Sequence, residues 1–221
     1  MRNFFVSQDQ INDETNEIII KDEDVNHIKN VLRLEKGEKI KICAKSSEQS
    51  VYAYICEIND ISKDFIKCNI IEKEKNDIES TVQISIFQGL PKFDKMELII
   101  QKCTELGAFD FTPVSFNRSI VKLTQKDELK KIERWQKIAE MASKQSGRFF
   151  VPKVNNLKNI DELCTLVHNY DLVLLAYENE QNNLIKDELL KIKNQKEKYK
   201  IAIIIGPEGG LEEEEVKKLF L

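Results

Sequence analysis

Residues that build metal centres and disulfide frameworks are scarce in this chain of 221 residues. It has two histidines and five cysteines, and no two cysteines form a CxxC pair. An odd number of scattered cysteines argues against a disulfide framework and a zinc site. Two histidines also argue against histidine-rich metal chemistry. Most of the cysteines have apolar neighbours, so we interpret them as small core residues and expect no metal.

Long hydrophobic runs are also missing. No apolar stretch approaches the ~18–20 residues that cross a bilayer. The N-terminus, MRNFFVSQDQ, has no apolar core of the kind found in signal peptides. We therefore expect a cytoplasmic protein that does not enter a membrane. The length suits one large domain or two small ones.

The net charge of −4 is unevenly distributed. Residues 88–153 contain 13 Lys and Arg against 8 Asp and Glu, a net charge of +5. The flanking segments are acidic, with 12 against 15 in residues 1–75 and 9 against 13 in residues 154–221. A localised basic segment in an otherwise acidic protein is typical of a surface that contacts a phosphate backbone.

The first 75 residues predict a small β-barrel with one helix. Four segments have the β-branched or aromatic enrichment and partial alternation of strands: 17–20, 39–44, 51–58 and 65–71. Ser46–Ser50 and Asn59–Asp64 are predicted turns. Asp22 or Asp24 is the predicted cap of a helix that carries Val25, Ile28 and Leu32 on one face.

The rest of the chain alternates between strand and helix patterns, which predicts a parallel α/β sheet. A charged, aperiodic segment at residues 73–80 is the predicted linker. Predicted strands are 81–87, 109–114, 171–177 and 199–205, of which the last two are interpreted as buried. Predicted helices begin at Asp94, at about Lys126, at Asn159 with a capping box to Glu162, and at Leu184, the last ending at Lys193.

The long helix from about Lys126 to Ser146 separates an apolar face from a basic one. The apolar face carries Ile132, Trp135, Ile138, Ala139 and Ala142. The opposite stripe carries Lys130, Arg134, Lys137, Lys144 and Arg148. An ordinary solvated helix face is the alternative. The regional excess of positive charge favours phosphate contacts.

The sequence IAIIIGPEGGLEEEEV at residues 201–216 places a glycine-rich turn directly after an apolar strand. It matches neither the dinucleotide-binding fingerprint nor the Walker A motif. Pro207 has no N–H for a phosphate cradle, and Glu208 and Glu212–Glu215 would repel a pyrophosphate. A neutral or cationic ligand such as S-adenosylmethionine, which has a sulfonium and no phosphate, fits better. The alternative is a strand-to-helix turn whose acidic residues complement the helix dipole.

Several motifs in chain order resemble the 16S rRNA uracil-N3 methyltransferase family of the SPOUT superfamily. They are DVNHIKNVLRLEKGEKIKI (24–42), FQGLPKFDKMELIIQKCTELGA (87–108), PVSFNRSIVK (113–122), MASKQSGRFFVPKV (141–154), LAYE (175–178) and IIIGPEGGL (203–211). The resemblance implies a PUA-like RNA-binding domain at 1–72 and a SPOUT α/β methyltransferase domain with a trefoil knot at 81–221.

The resemblance also implies roles for individual residues. The cofactor S-adenosylmethionine would contact Leu175, Ala176, Gly206, Glu208, Gly209 and Gly210. RNA would contact Arg2, His27 and Arg33 in the first domain and Lys92, Lys95, Arg118 and Arg148 in the second. The basic stripe of the long helix adds Lys130, Arg134, Lys137 and Lys144 as RNA contacts predicted from the helical pattern alone. Arg118 and Arg148 are also candidate catalytic helpers. Arg33 and Arg118 could instead be structural ion pairs, and Lys102 with Glu105 is interpreted as a local pair.

Family members continue past GPEGG into an S-L-G-x-R-I-L-R-x-E-T-A segment. That segment threads the knot and supplies the arginine that is regarded as catalytic in the family. The sequence ends at Leu221 before such a segment. We therefore expect an incomplete knot and an inactive chain if these 221 residues stand alone.

The resemblance implies S-adenosylmethionine-dependent methylation of a uridine N3 in 16S rRNA or the small ribosomal subunit, by a homodimer. One alternative is a non-catalytic RNA-binding protein that uses the PUA-like module and the basic helix. Another is a nucleotide-binding α/β protein.

Overall fold

A computed structural model of the chain describes residues 1–45, 52–181, 183–192 and 198–220. The chain forms two compact units. The first comprises Met1–Glu79 with Ser143–Val151, and the second comprises Ser80–Ala142 with Pro152–Leu221. The sequence did not predict that residues 143–151 belong with the first unit.

The first unit is built on a six-stranded sheet in the order β1-β4-β5-β6-β3-β2. The strands are β1 (Arg2–Val6), β2 (Ile11–Asn12), β3 (Glu17–Ile20), β4 (Lys39–Ala44), β5 (Tyr52–Ile61) and β6 (Ile66–Lys75). β1 and β4 are parallel and the other pairs antiparallel. The four predicted strands are confirmed, although Val51 and the predicted turn Ser46–Ser50 lie outside the described residues. β6 continues through Lys75, so the predicted linker begins in paired strand.

Alternation explains how these strands form a core. Ile40 and Ile42 on β4 are fully buried, as are Ile58 on β5 and Ile66 on β6, and the residues that directly precede Ile40, Ile58 and Ile66 are exposed. Together with Ile18 on β3 they belong to one buried apolar cluster.

The predicted helix forms as α1 (Glu23–Asn26), which continues as a π-helical segment, His27–Leu32. Val25 and Ile28 are buried as expected. The predicted aspartate cap is wrong for Asp22, whose side chain makes no cap hydrogen bond because its backbone has φ 62 and ψ −139, outside the usual cap conformation.

Residues 143–151 are held in the first unit by a buried ion pair. Arg148 Nη2 lies 2.7 Å from Glu79 Oε2, and the two side chains are 6% and 5% exposed. The backbone N–H of Phe149 also donates to Glu79, and Asn3 donates to the Arg148 carbonyl. Phe149 packs with Phe5 in a small buried cluster.

The second unit is a parallel α/β sheet in the order β10-β8-β7-β12-β11, with β9 paired to β8. The prediction of a parallel α/β fold is thus confirmed. Its strands are β7 (Val82–Gly89), β8 (Asp110–Ser115), β9 (Lys153–Val154), β10 (Lys158–Asn159), β11 (Leu172–Ala176) and β12 (Tyr199–Ile205). Its helices are α2 (Lys95–Glu105), α3 (Gln125–Ser146, of which residues 143–146 belong to the first unit), α4 (Ile160–Val167), α5 (Ile185–Ile192) and α6 (Glu213–Leu219).

Local signals predicted some features of the second unit and missed others. The capping box is confirmed, because Asn159 accepts from the Glu162 N–H while Glu162 accepts from the Asn159 N–H. β12 lies between β7 and β11, as a buried strand should. β11 is at the edge of the described sheet, so its residues are half-buried or exposed and the prediction of a buried strand was wrong for it. The predicted helix end at Lys193 is outside the described residues.

Within the described ranges, no helix has both the length and the apolar composition needed to cross a bilayer.

The buried pair generates a stability prediction. Replacing Glu79 with alanine leaves the Arg148 guanidinium buried without its carboxylate, so Glu79→Ala should destabilise the protein by about 3–5 kcal/mol. Chemical denaturation measures this change. The control is Glu105→Ala, which breaks a 2.9 Å pair with Lys102 whose lysine side chain is 55% exposed and should cost less than about 1 kcal/mol. Equal costs for the two variants would contradict the structural role of Glu79.

Candidate active site

The end of β11 and the loop after β12 carry the predicted cofactor residues of the second unit, and the loops after β7 and β8 carry the predicted RNA contacts Lys92 and Arg118. All four strands are parallel, so these loops leave the same edge of the sheet. β7 pairs with β8 on one side and with β12 on the other, so the chain changes direction next to β7. Ligands of open α/β sheets bind at the carboxyl ends of the strands at such a switch point. The sequence GPEGG begins there, at Gly206.

Gly89 allows the loop after β12 to lie against the end of β7. A Cβ atom on Gly89 would fall 2.6 Å from the Pro207 nitrogen and 2.8 Å from the Gly206 carbonyl carbon. The buried Gln88 side chain donates to the Gly89 carbonyl at 3.0 Å and to the Gly206 carbonyl at 3.4 Å. Sequence reasoning missed both residues, although the glycine directly after a buried strand was a usable signal.

Glu208 joins the GPEGG loop to the turn between β7 and α2. Its carboxylate accepts from the Lys95 ammonium at 2.8 Å and from the Lys92 backbone N–H at 3.1 Å. The Lys95 hydrogen bond is the largest of the effects that lower the pKa of Glu208 to about 2, and the backbone hydrogen bonds add to it. The Lys95 ammonium was predicted to contact RNA; in the structure it holds the loop.

Arg118 and Glu178 contact the other side of the loop. The Arg118 guanidinium donates to the Gly209 carbonyl at 3.2 Å, and a Cβ on Gly209 would lie 3.2 Å from the Arg118 Cβ. Gly210 has φ +70, and a Cβ there would collide with the Glu178 carboxylate. Arg118 is therefore the predicted helper that the structure places beside the cofactor loop.

The segment after GPEGG is held by the loop that carries Arg118. The buried Glu215 carboxylate accepts from the Asn117 N–H at 2.8 Å and from the Glu212 N–H at 3.0 Å. The Asn117 side chain in turn donates to the Glu212 carboxylate at 2.8 Å. Two of the glutamates that seemed only to discourage phosphate thus have structural hydrogen bonds.

The end of β11 reaches the same edge. Leu175 is opposite Ile204 and Ala176 is opposite Ile205, directly before Gly206. Leu175 is half-buried and Ala176 is exposed. The structure therefore brings together the two predicted wall residues and the four predicted residues of the GPEGG loop.

The geometry fits S-adenosylmethionine better than a nucleotide phosphate. Pro207 is buried and has no N–H to offer, while Glu208 and Gly209 are exposed. Three glycines leave the backbone open to a close ligand. The nearby Glu178 carboxylate favours a cation over a phosphate.

Only part of the predicted basic stripe on α3 is exposed and able to contact RNA. Trp135, Ala139 and Ala142 are buried, which confirms the apolar face of the helix. On the opposite face Lys130 and Lys137 are exposed, and Lys137 lies 3.9 Å from Glu133.

The remaining three members of the stripe have carboxylate partners. Arg134 pairs with Glu97 at 2.8 Å, and Lys144 pairs with Asp24 at 2.8 Å. The assignment of Arg148 to RNA contact and catalysis was wrong, because its guanidinium is buried against Glu79. A helical projection cannot foresee this, because Arg148 follows Gly147, which lies beyond the end of α3 and has φ +73.

The predicted RNA contacts of the first unit are exposed. Arg2 begins β1, His27 lies edge-on to the Phe4 ring, and Arg33 has φ 54 at the end of the π-helical segment. Lys92 in the second unit is half-buried. All four remain predicted RNA contacts.

Three of the five cysteines are core residues, and the other two, Cys103 and Cys164, are half-buried. Cys43, Cys56 and Cys68 are fully buried, and burial is the main cause that raises the pKa of each thiol to about 12. They are therefore protonated at neutral pH and are not nucleophiles. Among the described residues, no group of three or more His, Cys, Asp or Glu side chains is arranged to hold a metal.

Comparisons with known proteins identify the family of the chain. An RNA methyltransferase domain model matches residues 78–220, and an RNA methyltransferase PUA domain model matches residues 20–71. The chain is 37% identical to ribosomal RNA small subunit methyltransferase E of Bacillus subtilis, over 99% of this chain and 85% of that protein. It is 34% identical to ribosomal RNA small subunit methyltransferase E 2 of Borreliella burgdorferi, over 91% and 78% of the two chains.

A solved structure extends the comparison. The crystal structure of ribosomal RNA small subunit methyltransferase E from Neisseria gonorrhoeae, bound to S-adenosyl methionine, superposes with a TM-score of 0.79. The two sequences are 26% identical, and the superposition covers all of this chain and 85% of the Neisseria gonorrhoeae chain. The second unit and its site define an RNA methyltransferase. The chain belongs to the ribosomal RNA small subunit methyltransferase E family. The trefoil knot stays a prediction.

We call the hydrogen bonds that Glu208 accepts from the Lys95 ammonium and the Lys92 N–H the clamp. The clamp predicts the pH at which the Glu208 carboxyl titrates. The pKa of its carboxyl is lowered, so the clamp stabilises the loop above the ordinary value of ~4.3 and is lost as the pH falls towards about 2. NMR of 13C-labelled glutamate should show a Glu208 midpoint near 2. The Lys95→Met variant should move the midpoint up towards ~4.3, whereas Lys102→Met should leave it in place. An unchanged midpoint in Lys95→Met would exclude the clamp.

Proposed function

We propose that this protein transfers a methyl group from S-adenosylmethionine to N3 of a uridine in 16S rRNA. The observation that carries the proposal is the phosphate-excluding GPEGG loop, held at the switch point of a parallel sheet by Glu208, Lys95 and Gly89. Family membership supports the reaction class, and the names of the relatives supply small-subunit rRNA as the substrate. The choice of uridine N3 rests on the motif resemblance.

The cofactor would be held by the backbone of Gly206, Glu208, Gly209 and Gly210 and by the end of β11 at Leu175 and Ala176. S-adenosylmethionine supplies, when bound, an electrophilic methyl group on a sulfonium. Glu208 keeps the loop in position through its hydrogen bonds to Lys95 and the Lys92 N–H. Its negative charge is therefore neutralised by Lys95 and does not face the cofactor. Glu178, beside Gly210, supplies the negative potential that a sulfonium prefers.

Uracil N3 carries a weakly acidic proton that must leave for the nitrogen to become a nucleophile. A nearby cation lowers the free energy of the resulting uracil anion. Arg118 is exposed, belongs to the loop after β8 and is hydrogen-bonded to Gly209, so it can provide that cation at the cofactor loop. The target base must be unpaired or flipped to reach such a pocket.

The first unit would bind parts of the RNA other than the base that is methylated. Residues 20–71 match the PUA domain of RNA methyltransferases, and Arg2, His27 and Arg33 offer exposed donors. We infer that this unit contributes affinity for the rRNA fold, while the second unit carries the chemistry.

We also propose a cytoplasmic homodimer that forms through helices of the second unit. Support comes from α5, where Ile185, Leu189 and Leu190 are 66%, 41% and 54% exposed. Apolar side chains on one amphipathic helix suit a second copy of the chain. Sedimentation velocity should show twice the monomer mass, and Leu189→Lys should shift the protein towards monomer. A wild-type monomer at all concentrations would contradict the dimer.

Methyl transfer is tested with small ribosomal subunits from cells that lack the gene. The protein as expressed from its gene is incubated with methyl-labelled S-adenosylmethionine, and the rRNA is digested to nucleosides. The label should elute as 3-methyluridine. Arg118→Ala should slow transfer about 100-fold if it stabilises the uracil anion. RNA binding without any label would favour the non-catalytic alternative, and label on another atom would overturn the N3 assignment.

The exposed part of the α3 stripe predicts a salt effect. Lys130→Glu combined with Lys137→Glu should weaken 16S rRNA binding and reduce the slope of log affinity against log salt by about 0.7–0.9 for each phosphate that the variant no longer neutralises. Filter binding at several salt concentrations measures this. The charge-matched control is Lys186→Glu with Lys217→Glu, on α5 and α6. Identical slopes for the two double variants would show that the stripe is only a solvated face.

A further inference from the structure

The turn between β7 and α2 contains a phenylalanine in an unfavourable setting. Phe93 has φ 57, in the left-handed region that bulky residues avoid, and its side chain is 86% exposed. An exposed ring on a strained backbone contributes no burial of apolar surface that would stabilise the fold. Such positions persist where the surrounding structure fixes them and the strain serves a function.

The surrounding structure that fixes Phe93 is the clamp on the cofactor loop. Glu208 accepts from the Lys92 N–H, one residue before Phe93, and from the Lys95 ammonium, two residues after it. One carboxylate therefore holds the chain on both sides of Phe93. The residues on either side of Phe93 are thereby hydrogen-bonded to the loop that would bind the cofactor.

Phe93 also lines a cavity of about 220 Å³. The inner wall is apolar and buried, formed by Leu90, Pro91, Met96 and Trp135. Drug-sized ligands occupy pockets of ~300–1,000 Å³, so this cavity suits a single ring and not a whole cofactor.

The charges around the cavity favour one occupant. Lys131 lines it with its ammonium 5.7 Å from the centre of the Trp135 ring, and Lys92 precedes Phe93. Asp94 also lines it, which disfavours a phosphate inside but suits the N–H groups of an uncharged base. Aromatic rings beside cations are the sites where proteins stack unpaired RNA bases.

We propose that Phe93 stacks on an unpaired base of the RNA and directs it into the cavity formed by Leu90, Pro91, Met96 and Trp135, with Lys92 and Lys131 contacting the adjoining phosphates. The inference rests on the proposed function and names the part of the second unit that receives RNA next to the cofactor loop. It makes Phe93 a substrate-positioning residue.

Three substitutions at Phe93 separate stacking from a structural role. Phe93→Gly removes the ring and relieves the positive φ, so its melting temperature should be no lower than that of wild type. Its affinity for a short fluorescein-labelled oligouridylate should fall about tenfold. Phe93→Leu keeps an apolar side chain without a π face and should also lose affinity. Phe93→Trp should bind like wild type.

Matched measurements separate stacking from general hydrophobic, charge and cofactor effects. Leu106→Ala, which removes an apolar side chain that is 87% exposed outside the cavity, should leave RNA affinity unchanged. The salt slope of Phe93→Gly should equal that of wild type, because the substitution removes no charge. S-adenosylmethionine affinity in the absence of RNA, measured by calorimetry, should also be unchanged.

The outcomes distinguish this inference from the proposed function. Wild-type methyl transfer with equal oligouridylate affinity for all three Phe93 variants would overturn the inference alone. Loss of RNA affinity in Phe93→Gly and Phe93→Leu would support it even if wild type showed no methyl transfer, which would overturn the proposed reaction. A Phe93→Gly protein that binds RNA normally but shifts from dimer to monomer would assign the ring to an interface between copies and overturn the inference.

Discussion

The carboxylate of Glu208 is the contact on which the candidate site depends. It accepts hydrogen bonds from the Lys95 ammonium and from the Lys92 backbone, and it comes from the loop that would hold the cofactor. The loop after β12 and the turn after β7 are thus fixed by one another. This contact explains why a glutamate follows the proline of a ligand loop: it is a structural anchor, neutralised by a lysine, and not a free negative charge facing a ligand.

Two features of the sheet make that contact possible. β7 and β12 are adjacent and parallel, so the loops at their carboxyl ends meet. Gly89 then lets the backbone of Gly206 and Pro207 approach more closely than any side chain would allow. The loop after β8 completes the arrangement, because Arg118 donates to Gly209 and Asn117 binds the glutamates that begin α6. These three loops are distant in sequence, and the strand order brings them together at one edge of the sheet.

Local patterns predicted the elements well. The capping box of Asn159 and Glu162, the apolar face of α3 and the strands β3, β4, β7 and β12 all depend on neighbouring residues in the chain, and all formed. The motif resemblance correctly identified the family. The cofactor residues that it implied lie at one edge of the sheet in the structure.

Features that depend on distant partners were not predictable. Arg148 looked like part of a basic stripe, and only the fold reveals Glu79 beside it. Lys144 and Arg134 likewise have acidic partners that a single helix cannot reveal. The half-burial of β11 follows from its position at the edge of the described sheet. Phe93 is a similar case, because its positive φ and its exposure are properties of the clamped turn and not of the letters PKFDK.

The central claim is that Glu208 and Lys95 act as one unit in holding the cofactor loop. A double-mutant cycle tests it most directly, with S-adenosylmethionine affinity measured calorimetrically for wild type, Glu208→Gln, Lys95→Met and the double variant. If the clamp holds the loop, each single substitution weakens binding and the double variant is little worse than either. Strictly additive losses would mean that the two side chains act independently, which would contradict the account.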